Sequence, residues 1–289
     1  AFLQGCRKGT ITMIGLFHGG VSVNNGPGKV ALNLIAGFKK LGVDFVENVE
    51  QDVNGCLASW SPRFKDLPRE TLVGPNIMVL PTDDPSVWSY FDNFIVPCEW
   101  VGNYFKTFDI TKDTKFHTWA VGIDTELFSP MGKVKSKCLV YNKRGSKENL
   151  EVILQTLNSL KIEYILLDYG SYTESDLLTA CEQSLFAVLN TGTESQGIAY
   201  QEILATGVPC YVIDKPVWDD QPGYNFAATS APYFDYRCGI KHHNLSRFGE
   251  FLDKLSTFKP RDYILDNLTL EKGASEYIRL LEECHGCKI

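Results

Sequence analysis

The 289-residue sequence predicts an α/β protein with two doubly wound, Rossmann-like domains facing a cleft. Short apolar strands alternate with helices in two successive series, a pattern that forms parallel sheets with helices on both faces. A joint with proline and glycine, GIDTELFSPMGKVKS at 122–136, separates the two series. Hydrophobic residues make up 44% of the chain and charged residues 22%, which is typical of globular proteins with a well-formed core.

The first series begins with a strand and a Gly-rich loop. We predict strands over 10–17, 76–81, 93–97 and 116–121, a helix over 27–42 that ends at Gly42, and a short helix in EWVGNYFKT. The carboxyl ends of these strands would lie at one edge of the sheet, where such folds bind ligands.

The second series follows the joint. We predict strands over 137–142, 163–168, 185–190 and 209–214, and helices over about 147–160, 174–183 and 197–206. Amphipathic helices are predicted near 245–257 and 269–284, and one of them is able to cross back to the first domain. The expected domains are 1–130 and 131–289.

The charge pattern argues against nucleic acid as the partner. The net charge is −7 and no block of basic residues occurs, whereas nucleic-acid binding relies on clustered Lys and Arg. The negative net charge also disfavours, without excluding, peripheral contact with an acidic membrane. No apolar run approaches the ~20 residues of a membrane span. Since the chain starts without Met, we expect a trimmed chain or a segment of a longer protein.

The nine cysteines are mostly scattered singly in apolar surroundings, which predicts free thiols in a reduced, cytoplasmic compartment. The exception is a CxxC at Cys284 and Cys287, with His285 between them. A zinc site needs about four ligands, and no second pair is visible, so we expect no metal there.

Two acidic residues flank the start of a predicted helix in TGTESQGIAYQEILATGVP. Glu194 lies in the loop after a strand, and Glu202 lies one turn into the helix. Ser195 is the expected N-cap, and free backbone N–H groups at a helix start bind anions. The N–H groups concerned belong to Gln196, Gly197 and Ile198.

Carboxylates repel phosphate but accept hydrogen bonds from hydroxyl groups. Two of them beside an anion site therefore suit a ligand with a charged middle and a hydroxyl-rich group at each end, such as a nucleotide-diphosphate sugar. The alternative is that both glutamates are solvated surface residues.

Three segments, in order, resemble the family-4-like retaining glycosyltransferases. ESQGIAYQEILATGVPCYV resembles the E-x7-E signature, HTWAVGIDTELFSP the interdomain segment, and GLFHGGVSVNNGPGKVALNLIAGFKKLG the first strand, Gly-rich loop and helix. They cover about two-thirds of the chain, and the resemblance implies a GT-B fold with the donor held mainly by the second domain.

The resemblance also implies residue roles. Glu194 would contact the donor sugar beside the Gln196, Gly197 and Ile198 amides, and Glu202 would hold the ribose. The family grips the diphosphate with basic residues after the first strand of the second domain. The candidates here are Lys143, Arg144 and Lys147, although the motif is a loose match and a solvated basic turn is the alternative.

Two departures from the family pattern affect the base and the first domain. The base-recognising element is shortened, which leaves Tyr169, Gly170 and Tyr172 as candidates, with a plain turn as the alternative. The family's active-site histidine has no clean match. Candidates for that role are His18 and Asp83 with its neighbour Asp84, and each is also suited to capping a loop.

The loop NNGPGKVAL partly matches a phosphate-binding P-loop. That motif requires Gly at position 23 and Ser or Thr at 30, where this chain has Val23 and Val30, so we reject the match. Gly26 and Gly28 remain candidates for approaching a phosphate or the acceptor, with a structural turn as the alternative.

Together these observations predict a retaining hexosyltransferase that moves a sugar from a UDP- or GDP-sugar to an acceptor hydroxyl in glycan synthesis. The acceptor is expected to be a glycan or a small molecule, and no metal or other cofactor is expected. The alternatives are an epimerase or hydrolase of nucleotide sugars, or a binding domain without catalysis.

Overall fold

The computed structural model describes residues 13–132 and 135–289. Cys6 and the first part of the strand predicted over 10–17 lie outside the described residues. Two compact units divide the chain: unit 1 falls within Ala1–Gly122 and Leu270–Ile289, and unit 2 is Ile123–Thr269. The chain thus passes between units at Gly122 and at Leu270, whereas the sequence placed the domain boundary near residue 130.

Unit 1 begins with a strand, a Gly-rich loop and a long helix. Its elements up to the first crossing are β1 (Ile14–Phe17), α1 (Gly26–Leu41), β2 (Phe45–Glu47), β3 (Val53–Ala58), β4 (Leu72–Asn76), α2 (Pro85–Tyr90), β5 (Asn93–Val96), α3 (Glu99–Phe105) and β6 (Phe116–Thr118). The six strands form one parallel sheet in the order β2-β1-β3-β4-β5-β6.

The strand predicted over 76–81 is wrong, because β4 precedes that segment and ends at Asn76. Gly74 and Pro75 lie inside β4, and both residues disfavour a strand in sequence-based reasoning. The sequence also gave no sign of β2 and β3. In β3 the pair Asn54–Gly55 is typical of a turn, yet the buried Asn54 amide bonds to the backbone N–H and C=O of Gln51.

Unit 2 follows the predicted alternation more closely. Its elements are β7 (Lys137–Lys143), α4 (Lys147–Ser159), β8 (Tyr164–Asp168), α5 (Glu174–Gln183), β9 (Ser184–Thr191), α6 (Ile198–Ala205), β10 (Cys210–Ile213), β11 (Val217–Trp218), β12 (Phe226–Ala227), β13 (Gly239–His242), α7 (Phe248–Asp253) and α8 (Pro260–Asn267). Five strands form a parallel sheet in the order β13-β10-β9-β7-β8, and β11 pairs with β12 in a separate antiparallel ribbon.

Burial of apolar side chains holds unit 2 together. One cluster joins four strands of the sheet to α4 and α7, and its members are Cys138, Val140, Ile153, Leu157, Phe186, Val188, Tyr211, Ile213, Ile240, Phe248 and Phe251. Removing such side chains from water is the main stabilising contribution to a core of this kind.

The final helix, α9 (Leu270–His285), belongs to unit 1 and packs against α1. The two backbones approach closely at Gly37, where an added Cβ would lie 2.6 Å from the Leu270 carbonyl oxygen. The buried Trp119 indole also holds the start of α9, because it donates to the Gly273 carbonyl oxygen at 2.8 Å. Among the described helices, none is both long and apolar enough to cross a membrane.

Arg261 explains why the segment after Gly122 belongs to unit 2. Its guanidinium donates to the carbonyl oxygens of Phe128, Ala205 and Thr125 at 3.0, 2.6 and 3.0 Å. These bonds tie the chain before residue 130 to the carboxyl end of α6. The prediction from Pro130 and Gly132 places the boundary later, because these local residues give no information about the long-range contact of Arg261.

Candidate functional site

The strands of the unit 2 sheet are all parallel, so the loops that follow them lie at one edge of the sheet. The predicted donor-site residues, except Glu202, lie at this edge or at the helix starts beside it. The loop after β9 leads into α6. Gly197 is the N-cap residue, with a left-handed backbone at φ 77° and ψ 51°, and no side chain caps the helix. The prediction of Ser195 as the N-cap is therefore wrong.

A glycine is required at position 197 for two reasons. Its positive φ strains any residue that carries a Cβ, and a Cβ there would lie 2.0 Å from the Tyr200 ring. Tyr200 is buried, so its ring cannot easily give way. The glycine lets the chain turn sharply from the loop into the first turn of α6.

Glu194 is the acidic residue of this loop, and it is only 9% exposed. Its backbone N–H donates to the Thr229 carbonyl oxygen at 2.9 Å, which fixes the loop. Its carboxylate oxygens lie 2.8 and 3.0 Å from the Lys143 ammonium. The alternative that Glu194 is a solvated surface residue does not match this burial.

Lys143 is the last residue of β7 and lies opposite Thr191 of β9 in the sheet register. That register brings Lys143 and Glu194 together although they are 51 positions apart. The Lys143 ammonium also lies 4.8 Å from the centroid of the Tyr169 ring, in the loop after β8. Two loops thus converge on the ammonium group at the end of β7, and an aromatic face adds to its electrostatic environment.

Beneath the ion pair, a row of polar side chains crosses the ends of three strands. Asn142 donates to the Asp168 carboxylate at 2.7 Å, and Asn190 donates to the Asn142 amide oxygen at 2.9 Å. The Asn190 Oδ1 and Thr191 Oγ1 atoms are buried, without a hydrogen-bond partner among the described residues. The sequence analysis did not select these residues; polar side chains at the ends of buried strands were the available signal.

A second network supports the Glu194 loop from the β10 side. The Asp214 carboxylate accepts from the Thr229 hydroxyl at 2.7 Å and from the Ser230 N–H at 2.8 Å, and Lys241 donates to the Thr229 hydroxyl at 3.0 Å. Since the Thr229 carbonyl holds the Glu194 backbone, this network positions the acidic loop. The sequence analysis also missed these residues, which follow β10 or belong to β13.

Glu202 lies on the second turn of α6 and is 2% exposed. A solvated surface glutamate, the alternative weighed from the sequence, is therefore not what the structure shows. The preceding Gln201 is also buried and donates to the Gln196 carbonyl oxygen at 2.9 Å. This bond ties the loop to α6, and Ile198 is the first residue of the helix. The ribose role of Glu202 stays a prediction.

The other basic candidates are exposed. Arg144 has a left-handed backbone at φ 59° and bridges the Thr191 backbone. Lys147 is the first residue of α4, where the helix dipole disfavours a cation. The diphosphate-binding roles of Arg144 and Lys147 stay predictions.

The candidate base-binding residues lie in the loop after β8. Tyr169 contacts Lys143 as described, and Gly170 has a positive φ of 86° with no heavy atom within 4 Å of an added Cβ. The Tyr172 hydroxyl donates to the Tyr141 hydroxyl at 3.1 Å. Burial raises the pKa of Tyr141, so this phenol remains protonated. A tight turn also occurs here, with Ser171 N–H bonded to the Asp168 carbonyl, so both interpretations of the segment remain.

In unit 1, both ring nitrogens of His18 are engaged. Nδ1 accepts from the Gly20 N–H at 3.1 Å, so Nε2 carries the proton and donates to the Glu47 carboxylate at 2.9 Å. His18 is also buried. These contacts match the loop-capping alternative, and they place His18 as the support of the Gly-rich loop.

The remaining unit 1 candidates also make local contacts. Asp83 is exposed and accepts from the Leu80 N–H at 3.0 Å, closing a turn, while Asp84 accepts from the Ser86 hydroxyl. Gly26 opens α1, and Gly28 donates its N–H to the Asn25 side chain at 2.8 Å. Their catalytic and binding roles stay predictions, with loop and helix capping as the contacts observed.

No group of three or more His, Cys, Asp or Glu side chains in the described part of the chain is arranged to hold a metal ion. The same holds for the CxxC at the end of α9, where Cys284 and Cys287 are half-buried.

Comparison with known proteins identifies the fold. No protein-family model matches the chain, and no curated protein matches it in sequence. Among solved structures, the GtfA/B complex is similar over 90% of this chain and 61% of that chain, with 15% identity and a TM-score of 0.51. The chain has a GT-B fold.

A TarM mutant from S. aureus, in complex with fondaparinux, alpha-GlcNAc-glycerol and UDP, is similar over 87% of this chain and 58% of that chain. The identity is 13% and the TM-score 0.50. The chain therefore spans about three-fifths of the length of each neighbour. At these identities the likeness shows the fold alone, and what the chain does must be argued from its own residues.

Proposed function

We propose that unit 2 binds a nucleotide-diphosphate sugar at the carboxyl edge of its sheet, and that the chain is a retaining glycosyltransferase of the hexosyltransferase type. The observation that carries this proposal is the mostly buried pair of Lys143 and Glu194, held beside the glycine that opens α6. A charged pair at a ligand-binding sheet edge is costly to bury, and binding chemistry gives a reason for it.

The diphosphate is proposed to take the place of Glu194 as the partner of Lys143. A carboxylate and a phosphate compete for the same ammonium, and phosphate oxygens accept strong charge-assisted hydrogen bonds. Arg144 and Lys147, exposed beside it, add positive charge, and the first turn of α6 supplies backbone N–H groups. The bound ligand would therefore release the Glu194 carboxylate.

A released Glu194 carboxylate is an acceptor for hydroxyl groups of the donor sugar. Glu202, one turn further along α6, is proposed to accept from the ribose hydroxyls after the adjoining side chains adjust. Tyr169 and Tyr172 are proposed to line the base, because an aromatic face suits a planar heterocycle.

The proposed reaction breaks the bond between the anomeric carbon and the diphosphate oxygen and forms a bond to the acceptor hydroxyl oxygen. Lys143 and its basic neighbours stabilise the charge that grows on the leaving diphosphate, which removes the need for a metal ion. The leaving diphosphate takes the acceptor's proton, and Glu194 positions the sugar. Retention of the anomeric configuration is part of the proposal.

A UDP- or GDP-linked hexose is the proposed donor, and a glycan or a small molecule with a free hydroxyl is the proposed acceptor, with glycan synthesis in the cytoplasm as the setting. UDP is present in the TarM complex, which makes it the first nucleotide to test. Peripheral contact with a membrane is compatible with this setting.

The test is a thermal-shift panel of UDP, GDP, TDP and their sugars, followed by incubation with labelled donors. A ligand at 100 times its dissociation constant adds about 2.7 kcal/mol of stability. We expect one nucleotide series to shift the melting temperature, and Lys143→Met and Glu202→Ala to remove that shift. Asp219→Asn, an exposed acid in the β11–β12 region, is the matched control.

The labelled donor then separates the reactions. Transfer of label to an added hydroxyl acceptor supports the proposal. Epimerised donor, free sugar without transfer, or tight binding without turnover would instead assign an epimerase, a hydrolase or a binding domain, and the absence of any nucleotide shift would refute the donor site.

A further inference from the structure

Unit 1 has a cavity of its own at the carboxyl edge of its sheet. Its volume is about 240 Å³, and it lies between the loop after β1 and the loop after β3. Buried Leu57 and Ala58 form part of its wall, and the Gly-rich loop and the start of α1 form the rest. This volume is below the range of ~300–1,000 Å³ for sites that bind drug-sized ligands.

The described lining of this cavity contains no Lys, Arg, Asp or Glu. His18 contributes to the wall, but its two ring nitrogens are engaged by Gly20 and Glu47. The start of α1 is also engaged, since the Asn25 side chain accepts from the Gly28 N–H. A phosphate, carboxylate or ammonium group would thus enter without a charged partner, so the lining favours a neutral ligand.

The most prominent side chain at the cavity is Trp60, which is 55% exposed. Its indole lies against the backbone of Gly19, where an added Cβ would lie 2.3 Å from Trp60 Cδ1 and Nε1. The absence of a side chain at Gly19 therefore allows this ring position. Burying an indole stabilises a protein, so a half-exposed one held at a cavity mouth suggests a ligand that covers it.

A ligand that fits this cavity needs an apolar face that packs on the indole and polar edges that bond to the hydrogen-bonding groups of the lining. The exposed Val21 adds apolar surface, while the Ser22 hydroxyl and the glycine backbone supply hydrogen-bonding groups. A pyranose ring has this character, because its C–H groups form apolar faces and its hydroxyls point outward.

We propose that the cavity binds one neutral pyranose ring stacked on the Trp60 indole, and that this ring is the terminal sugar of the acceptor. The assignment as acceptor rests on the proposed function, whereas the binding of the ring rests on the cavity alone. Trp60 is then the residue that selects a saccharide acceptor over a charged small molecule.

The experiment follows the indole N–H signals of protein labelled with ¹⁵N-tryptophan, without any nucleotide present. The chain has five tryptophans, and a Trp60→Phe spectrum assigns the Trp60 signal. Methyl glycosides of neutral hexoses and of N-acetylhexosamine are titrated, and glucose 6-phosphate and glucuronate serve as charged probes. We expect a neutral glycoside to move the Trp60 signal in a saturable way, with the charged probes binding more weakly.

Variants test whether the ring stacks on the indole. Trp60→Leu should weaken binding roughly tenfold, whereas Trp60→Phe, which keeps an aromatic face, should weaken it less. Gly19→Ala, which displaces the indole, should also weaken binding, and binding to these variants is followed by ligand-observed saturation transfer. Tyr236→Leu, at an aromatic residue that is 83% exposed in unit 2, should change nothing.

Three outcomes would overturn the inference: no neutral glycoside moves the Trp60 signal, a charged probe binds at least as tightly, or Trp60→Leu binds like the wild type. Loss of the nucleotide shift in the donor test, with glycoside binding intact, would refute the donor site without touching the sugar cavity. Transfer to a non-saccharide acceptor alone would refute the acceptor role.

Discussion

The ion pair between Lys143 and Glu194 allows a double-mutant cycle with Lys143→Met, Glu194→Gln and the double variant. The two side chains are 19% and 11% exposed, with 2.8 Å between Nζ and Oε1. Removing one partner of a fully buried pair costs about 3–5 kcal/mol, and we discount this to roughly 2 kcal/mol for the partial exposure here.

Each single variant should thus lower the free energy of unfolding by roughly 2 kcal/mol, because it leaves a mostly buried group without its partner. The double variant leaves neither charge, so we expect it also to lose only about 2 kcal/mol, which gives a coupling energy of about 2 kcal/mol. For a domain of about 150 residues, the corresponding change in melting temperature is about 4–8 °C.

The measurement is urea unfolding of the four proteins, followed by fluorescence and by circular dichroism so that separate transitions of the two units are detected. The matched control is Arg247→Met, which breaks an exposed pair with Glu250 in the same unit and should move the midpoint little. If the losses of the two single variants simply add in the double variant, the coupling energy between Lys143 and Glu194 is zero and the ion pair does not stabilise the fold.

Three further results are expected. Gly197→Ala should lower the melting temperature more than Gly223→Ala does. Both glycines have a positive φ, but only a Cβ at position 197 meets another side chain. Equal losses in the two variants would contradict the steric argument. Arg261→Met should destabilise by roughly 2–3 kcal/mol in urea, with partial recovery in Arg261→Lys, since three carbonyl oxygens lose a charged donor; no loss would contradict the role given to that contact. Burial raises the pKa of the Cys56 and Cys181 thiols from 9.0 to about 11 and about 12, respectively. The free energy of unfolding should therefore fall as the pH rises above 9, and it should fall less steeply in Cys181→Ala. A urea midpoint that stays constant from pH 8 to 11 would contradict this burial.

The sign of the alkaline effect follows from proton binding. A thiol whose pKa is raised in the folded protein keeps its proton at pH 10, whereas the same thiol in the unfolded chain has lost it. The folded state therefore binds more protons, and its advantage, complete below pH 9, is lost as the pH rises through the folded pKa.

The local pattern of unit 2 was sufficient to predict most of that unit. Strands β7 to β10 and the helices between them were predicted because each strand is a short, continuous apolar run and each helix has polar flanks. The glutamates of the E-x7-E motif were also predicted from a local pattern, because their spacing and the glycine between them are visible in the sequence.

Tertiary contacts decided what the sequence pattern could not express. Asn54 and Gly55 look like a turn but form part of β3, because the Asn54 amide finds backbone partners across a short loop. His18 is a catalytic candidate from the sequence, and the structure adds that its ring nitrogens contact Gly20 and Glu47, while its catalytic role stays a prediction. The sequence carries no signal for either set of partners.

The sequence by itself therefore determined the α/β class, the order of elements from β7 to β10 and the segment that carries the two acids, since these depend on periodicity and on neighbouring residues. Only the tertiary structure decided that Lys143 pairs with Glu194, that Trp60 borders a cavity and that the chain changes unit at Gly122. The physical reason is that sheet register and long-range hydrogen bonds join residues far apart in the chain, and no local pattern records those distances.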